Sequence, residues 1–246
     1  MKENDFIILE KFLKNNSGLF KPFPLNETKR QLGLWDRIIR WMYFARRKKD
    51  KKVKMLVCEK NKCVGCGACL YVCGKDAIKI VDSMEAFNAV VDTDKCIECG
   101  RCKKVCQVQN TIELTPVSIW KQGWAREKCI RENSASGGVA SAIIAAFISG
   151  GGKVFACQYS NIEHLFIIDD VSRSNLEYKV PGSKYVKSIA YKAYTKVKEA
   201  LLNNDRVLFI GLPCQVYALK QVIPSKYHEN LFTIDLICHE HRHNYC

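Results

Sequence analysis

Eight of the fourteen cysteines in this 246-residue chain fall into one pattern used twice. Cys63, Cys66, Cys69 and Cys73 form C-x-x-C-x-x-C-x-x-x-C, and Cys96, Cys99, Cys102 and Cys106 repeat it 33 positions later, in register to the residue. Four thiolates at this spacing suit a cubane [4Fe-4S] cluster, because three cysteines spaced two apart can wrap three corners of one cube in a single turn of chain. Zinc is the bland alternative. It favours isolated C-x-x-C pairs, two per site, and has no use for a third cysteine plus a fourth four residues on. The chemistry expected here is one-electron transfer through two [4Fe-4S] clusters.

The doubled run resembles the bacterial two-cluster ferredoxins, in which the fourth cysteine of each run ligates the other cluster and so locks the halves together. That resemblance implies one cluster on Cys63, Cys66, Cys69 and Cys106, and another on Cys96, Cys99, Cys102 and Cys73. Gly67 and Gly100 occupy one repeat position, where positive φ lets backbone N–H groups approach the sulfurs. The pattern departs from the family at one place: Gly74 and Gln107 stand where a proline follows the fourth cysteine. Proline there shapes the chain and supplies no ligand, so ligation should survive.

The elements that must hold these residues follow from composition and periodicity. At 48% hydrophobic and 26% charged residues, the chain reads as globular, with length for one large or two small domains. No run approaches the roughly 18–20 apolar residues that span a bilayer. Met1 to Glu10 carries three acidic residues and lacks a signal-peptide apolar core, so a cytoplasmic, reducing setting is expected, where clustered cysteines are metal ligands or redox centres.

Charge is unevenly placed. Residues 1–54 hold 15 Lys/Arg against 6 Asp/Glu, a large share of the net +14. This basic extension contains an amphipathic helix marked by Leu32, Trp35, Ile38, Ile39 and Met42. Residues 26–54 would suit docking on an acidic electron-transfer partner or on anionic lipid headgroups, or would serve as a solvated linker helix. Nucleic acid is not an expected partner, since no motif for it follows.

Residues 55–115 are expected to form the small α+β ferredoxin-like domain: in each half a strand, a cysteine loop, a short helix with the fourth cysteine, and a strand. From residue 116 the pattern changes. Gly137 to Ser149 reads as an apolar helix with Asn133, Ser134 or Ser136 as N-cap and Gly150 as its stop. Lys153–Tyr159, His164–Ile168, Arg206–Ile210 and Leu231–Ile237 read as strands, and Tyr191–Asn203 as a helix. Alternating strands and helices predict an α/β layer with buried parallel strands.

Four strings in this second region carry a further resemblance: Ser134-Ala135-Ser136-Gly137-Gly138, Gly182 to Ser188 (GSKYVKS), Gly211-Leu212-Pro213-Cys214-Gln215, and Asp235-Leu236-Ile237-Cys238-His239. In this order, after a dicluster module, residues 55–246 resemble the coenzyme F-420 hydrogenase/dehydrogenase beta-subunit family in its version with an N-terminal dicluster ferredoxin. The resemblance implies a bound flavin, usually FAD, and electron passage between clusters and a hydride-accepting small molecule. On it, Ser136, Gly137 and Gly138 would receive the flavin pyrophosphate at a helix N-terminus. Lys184 would meet a phosphate or the flavin ring, and Pro213, Cys214 and Gln215 would open a helix at the carboxyl end of a strand. Bland readings stand beside each: a simple N-cap with tight helix packing, a solvated turn lysine, a buried structural cysteine.

The family pattern continues past D-x-x-C-H with glycine and a further stretch of domain, whereas Glu240 stands here and the chain stops at Cys246. Residues 116–246 therefore read as an incomplete α/β flavin-binding-type domain with a shortened C-terminus. Two functions compete: an iron–sulfur flavoprotein oxidoreductase, or a fragment of one, acting with a redox partner protein and an unknown small-molecule substrate; and a ferredoxin-like carrier or docking subunit with no catalytic site of its own.

Overall fold

The computed structural model describes residues 55–83, 86–110, 116–119, 121–172 and 186–238. The basic extension, Lys184 and residues 239–246 lie outside them. All the described residues belong to one compact unit, Val53–Cys246.

The first region is a three-stranded antiparallel sheet in the order β1-β3-β2, built from β1 (Met55–Leu56), β2 (Ile78–Asp82) and β3 (Phe87–Val91). Helix α1 (Ala68–Val72) lies between β1 and β2, and α2 (Arg101–Lys104) follows β3. The fourth cysteines fall just past these helices, Cys73 as the C-cap of α1 and Cys106 beyond the C-cap Val105 of α2, rather than within them as expected. A shared apolar core joins Val57, Cys69, Ile78, Ala89 and Val91, with Cys63, Cys73, Cys96, Cys102 and Cys106 packed against it.

The second region holds α3 (Lys128–Glu132), α4 (Val139–Ser149), β4 (Lys153–Ser160), β5 (Leu165–Asp170), α5 (Tyr191–Leu202), β6 (Val207–Gly211), α6 (Pro213–Val222), a 3-10 turn at Ser225–Asn230, and β7 (Leu231–Asp235). The sheet order is β5-β4-β6-β7. β4, β6 and β7 run parallel, as continuous apolar strands should. β5 does not: it returns antiparallel on the edge through a short turn at 161–164, which leaves no room for a crossover.

Successive side chains of β4 and β6 alternate between two apolar layers. Phe155, Val207 and Phe209 face Tyr194, Val197, Leu201, Val216 and Leu219 of α5 and α6. Val154, Ala156, Leu208 and Ile210 face Ile144 of α4, with Phe147 and Ile148 packed alongside. The product is a sheet covered on both sides. Ala68 of α1 belongs to the first of these layers, with Cys66 and Tyr71 packed against it, so the dicluster region and the α/β region share core.

One expectation about α4 fails. Its N-cap is Gly138, at φ 73, with no side-chain cap, while the Ser134 hydroxyl donates to or accepts from Ser141 and bonds the Ile130 carbonyl instead. Gly150 closes the helix as expected.

Candidate metal centre

The two cysteine loops repeat in backbone as well as in sequence. Gly65 and Glu98, 33 residues apart, both lie at positive φ (62° and 53°), and each turns its N–H onto a cysteine sulfur, Cys63 Sγ and Cys96 Sγ, at 3.4 Å. Gly67 and Gly100 share the next left-handed position, at 79° and 71°, as N-caps of α1 and α2. Ala77 N–H reaches Cys73 Sγ at 3.4 Å in the same way. Such N–H···S contacts favour a charged sulfur over a neutral one and raise cluster potentials.

The four sulfurs of the first implied set share one pocket, whereas the second set is gathered only in part. A small pocket, partly open to solvent, is lined by Cys63, Cys66, Cys69 and Cys106, with Gly67, Ala89 and Gln107 among its walls. Burial pushes the Cys63, Cys66 and Cys69 thiols up, and neighbouring cysteine sulfurs add to the effect: Cys66 and Cys106 act on Cys63, and Cys66, Cys63 and Cys106 act on Cys69. Cys102 is likewise raised, first by burial and then by Cys96 and Cys73. Cys63 and Cys69 thus meet Cys106 from the opposite half, and Cys102 meets Cys73. Cys99 is exposed.

This donor chemistry fits an iron–sulfur core. Thiols crowded in an apolar cavity resist ionisation, whereas cations deliver the compensation that makes four thiolates stable there. Among the described residues, no three His, Cys, Asp or Glu side chains close on a point as a single ion would need. A cube of iron and sulfide is larger and holds its thiolates further apart.

Family comparison agrees with this geometry. Residues 41–110 match the 4Fe-4S dicluster domain. The region therefore carries [4Fe-4S] clusters and serves electron transfer. The match begins before β1, inside the basic extension, and ends before the α/β region. No curated protein matches the chain.

Cys58 is the residue that sequence reasoning missed. It is buried and lines the cavity with the four cysteines of the first set. Its thiol is pushed up to about 12, by burial first and then by Cys106 and Cys63. The only sequence signal was its place five residues before Cys63, outside any ligand spacing.

The first loop of the dicluster region is seated on the α/β layer. Tyr194 of α5, fully buried, donates its hydroxyl toward the Cys66 carbonyl (2.8 Å) and the Gln215 carbonyl (3.3 Å). Gln107 Nε2 donates to the Cys214 carbonyl at 3.0 Å. Lys187 Nζ donates to the Val64 carbonyl and lies 3.6 Å from Cys214 Sγ.

The residues expected to hold flavin fall into two groups. Pro213, Cys214 and Gln215 form the first turn of α6, at the carboxyl end of β6. Gln215 is committed to the fold, since its Oε1 accepts from Leu212 N–H and its Nε2 donates to the Ser188 carbonyl. Cys214 is buried and faces the cysteine loop rather than solvent. Ser136, Gly137 and Gly138 lie at the start of α4. A Cβ on Gly137 would come within 3.2 Å of Trp124 Cβ, and one on Gly138 within 3.1 Å of Ala125 Cβ, so close packing accounts for both glycines. The turn at 150–152 sends β4 back along α4, which places the α4 N-terminus at the same sheet end as that of α6. Lys184 lies outside the described residues, but its string ends at Ser188, which bonds Gln215 at that same end.

Among the described residues no helix is long and apolar enough to cross a membrane.

Proposed function

We propose that the chain is an iron–sulfur flavoprotein oxidoreductase unit, with electrons passing between an external carrier, two crosswise-ligated [4Fe-4S] clusters and a flavin on the α/β layer. The observation that supports it most is the seating of the first cysteine cavity on α5 and the first turn of α6, through Tyr194, Gln107 and Lys187. That turn stands at the carboxyl ends of parallel strands, where open α/β sheets bind ligands. A cluster set there has a short path to whatever the sheet end holds, while the second loop, with exposed Cys99, faces an outside carrier. The flavin would join one-electron cluster chemistry to the two-electron chemistry of a small-molecule substrate. Tyr194 and Gln215 would hold the path rigid, and the apolar wall would keep water from the first cluster.

Iron, sulfide and acid-released flavin measured on one anaerobic preparation tests the reading. About eight iron, eight sulfide and one flavin per chain supports it. Eight iron with no flavin, even after incubation with FAD, leaves a ferredoxin-like carrier. Zinc in place of iron defeats both.

A further inference from the structure

We propose that Lys187 sets the two clusters apart in potential, raising that of the first while leaving the second unaffected. This rests on the two-cluster reading above.

Lys187 belongs to the GSKYVKS string and reaches back 123 residues in sequence to the loop between Cys63 and Cys66, where its ammonium donates to the Val64 carbonyl. The same ammonium stands 3.6 Å from Cys214 Sγ and 5.6 Å from the centroid of the Phe87 ring. Its stem fills the space over Gly65, whose Cβ, if present, would lie 3.5 Å from Lys187 Cε and 3.3 Å from the Phe87 ring. The charge is thus fixed over the rim of the first cavity by three partners, and it acts on Cys63 and Cys66 through space. Among the described residues no side-chain ammonium bonds the matching carbonyl of the second loop, where Ile97, the repeat equivalent of Val64, is 64% exposed.

One-electron reduction, supplied by an external reductant, adds one negative charge to a cluster and its thiolates and transfers no proton. A fixed positive charge a few ångströms away stabilises that reduced form, most strongly where burial keeps water from screening it. Burial alone would have made the first cluster the harder one to reduce. Lys187 offsets that penalty, so an electron arriving at the exposed second loop can move inward rather than stall.

The test is an anaerobic redox titration of the full chain, followed by electron paramagnetic resonance, for wild type, Lys187→Met, Lys187→Gln and Lys187→Arg. Cys66→Ala identifies the transition that belongs to the first cluster. In the Met and Gln variants that transition should move to more negative potential by on the order of tenfold in the reduction equilibrium, about 59 mV for a one-electron couple. The other transition should stay, and the Arg variant should keep the wild-type value. Full iron content with both transitions unmoved, or both moved alike, overturns the proposal. Loss of iron in both neutral variants also overturns it, because Lys187 would then act as part of the fold. Wild-type protein without iron–sulfur signals is a separate outcome, which sinks the parent reading instead.

Discussion

A Cβ on Gly67 would sit 2.7 Å from Cβ of Tyr191, whereas one on Gly100, 33 residues on at the same repeat position, would meet nothing within 4 Å. The two loops share their left-handed glycines and their N–H···S contacts, yet the first is pressed into the α/β core and the second stands in solvent. Cys66 and Ala68 pack in that core, while Glu98, Cys99 and Gly100 are exposed. One ligand-binding design has been placed in two dielectric surroundings, and surroundings are what tune a cluster of fixed ligand set. Under the function proposed above, the first loop would be the inner station of a relay and the second its outer one.

The largest effect is expected from Cys66→Ala. It should halve the iron, to about four per chain, and also lower the melting temperature of the whole unit, because the loop it anchors is part of the α/β core. Cys99→Ala should cost the same iron with little thermal penalty. Equal losses of stability in the two variants would erase the distinction between inner and outer loops.

Gly67→Ala and Gly100→Ala form a matched pair. Both force alanine into left-handed backbone, at about 1–2 kcal/mol. Only the first also drives a methyl into Tyr191, adding roughly 1–3 kcal/mol of overpacking. Urea unfolding should therefore separate them, with Gly67→Ala the less stable.

Tyr194→Phe should cost about 1–2 kcal/mol by leaving the part-buried Cys66 carbonyl without its donor. It should do so without loss of iron. The smallest effect is expected from Cys58→Ala. Although Cys58 shares the first cavity, the other four sulfurs complete the ligand set, so iron content should hold near eight per chain. Loss of half the iron there would make Cys58 a ligand and displace one of the four.

Much of this site was legible in the sequence, and the reason is physical. Metal ligands on one loop are tied by chain geometry, so the cysteine octet, its 33-residue repeat and Gly67 with Gly100 could be found by spacing alone. Strands buried on both faces announce themselves as apolar runs, which is why β4 and β6 are legible close to their observed bounds. The misses depended on contacts distant in sequence. Nothing local shows that Cys58 enters the cavity or that Lys187 returns to Val64. The direction of β5 depended on its pairing with β4, and the cap of α4 on Ala125 packing against Gly138. The equivalence of Gly65 and Glu98 was hidden for another reason: a repeat in φ need not be a repeat in residue type.

Crosswise gripping of two cubes by the eight cysteines is the claim on which everything else stands. Dithionite-reduced, oxygen-free protein should give a paramagnetic signal broadened by coupling between two nearby clusters, with about eight iron and eight sulfide per chain. Reduced protein that stays silent in the resonance experiment and contains zinc or no metal would contradict it.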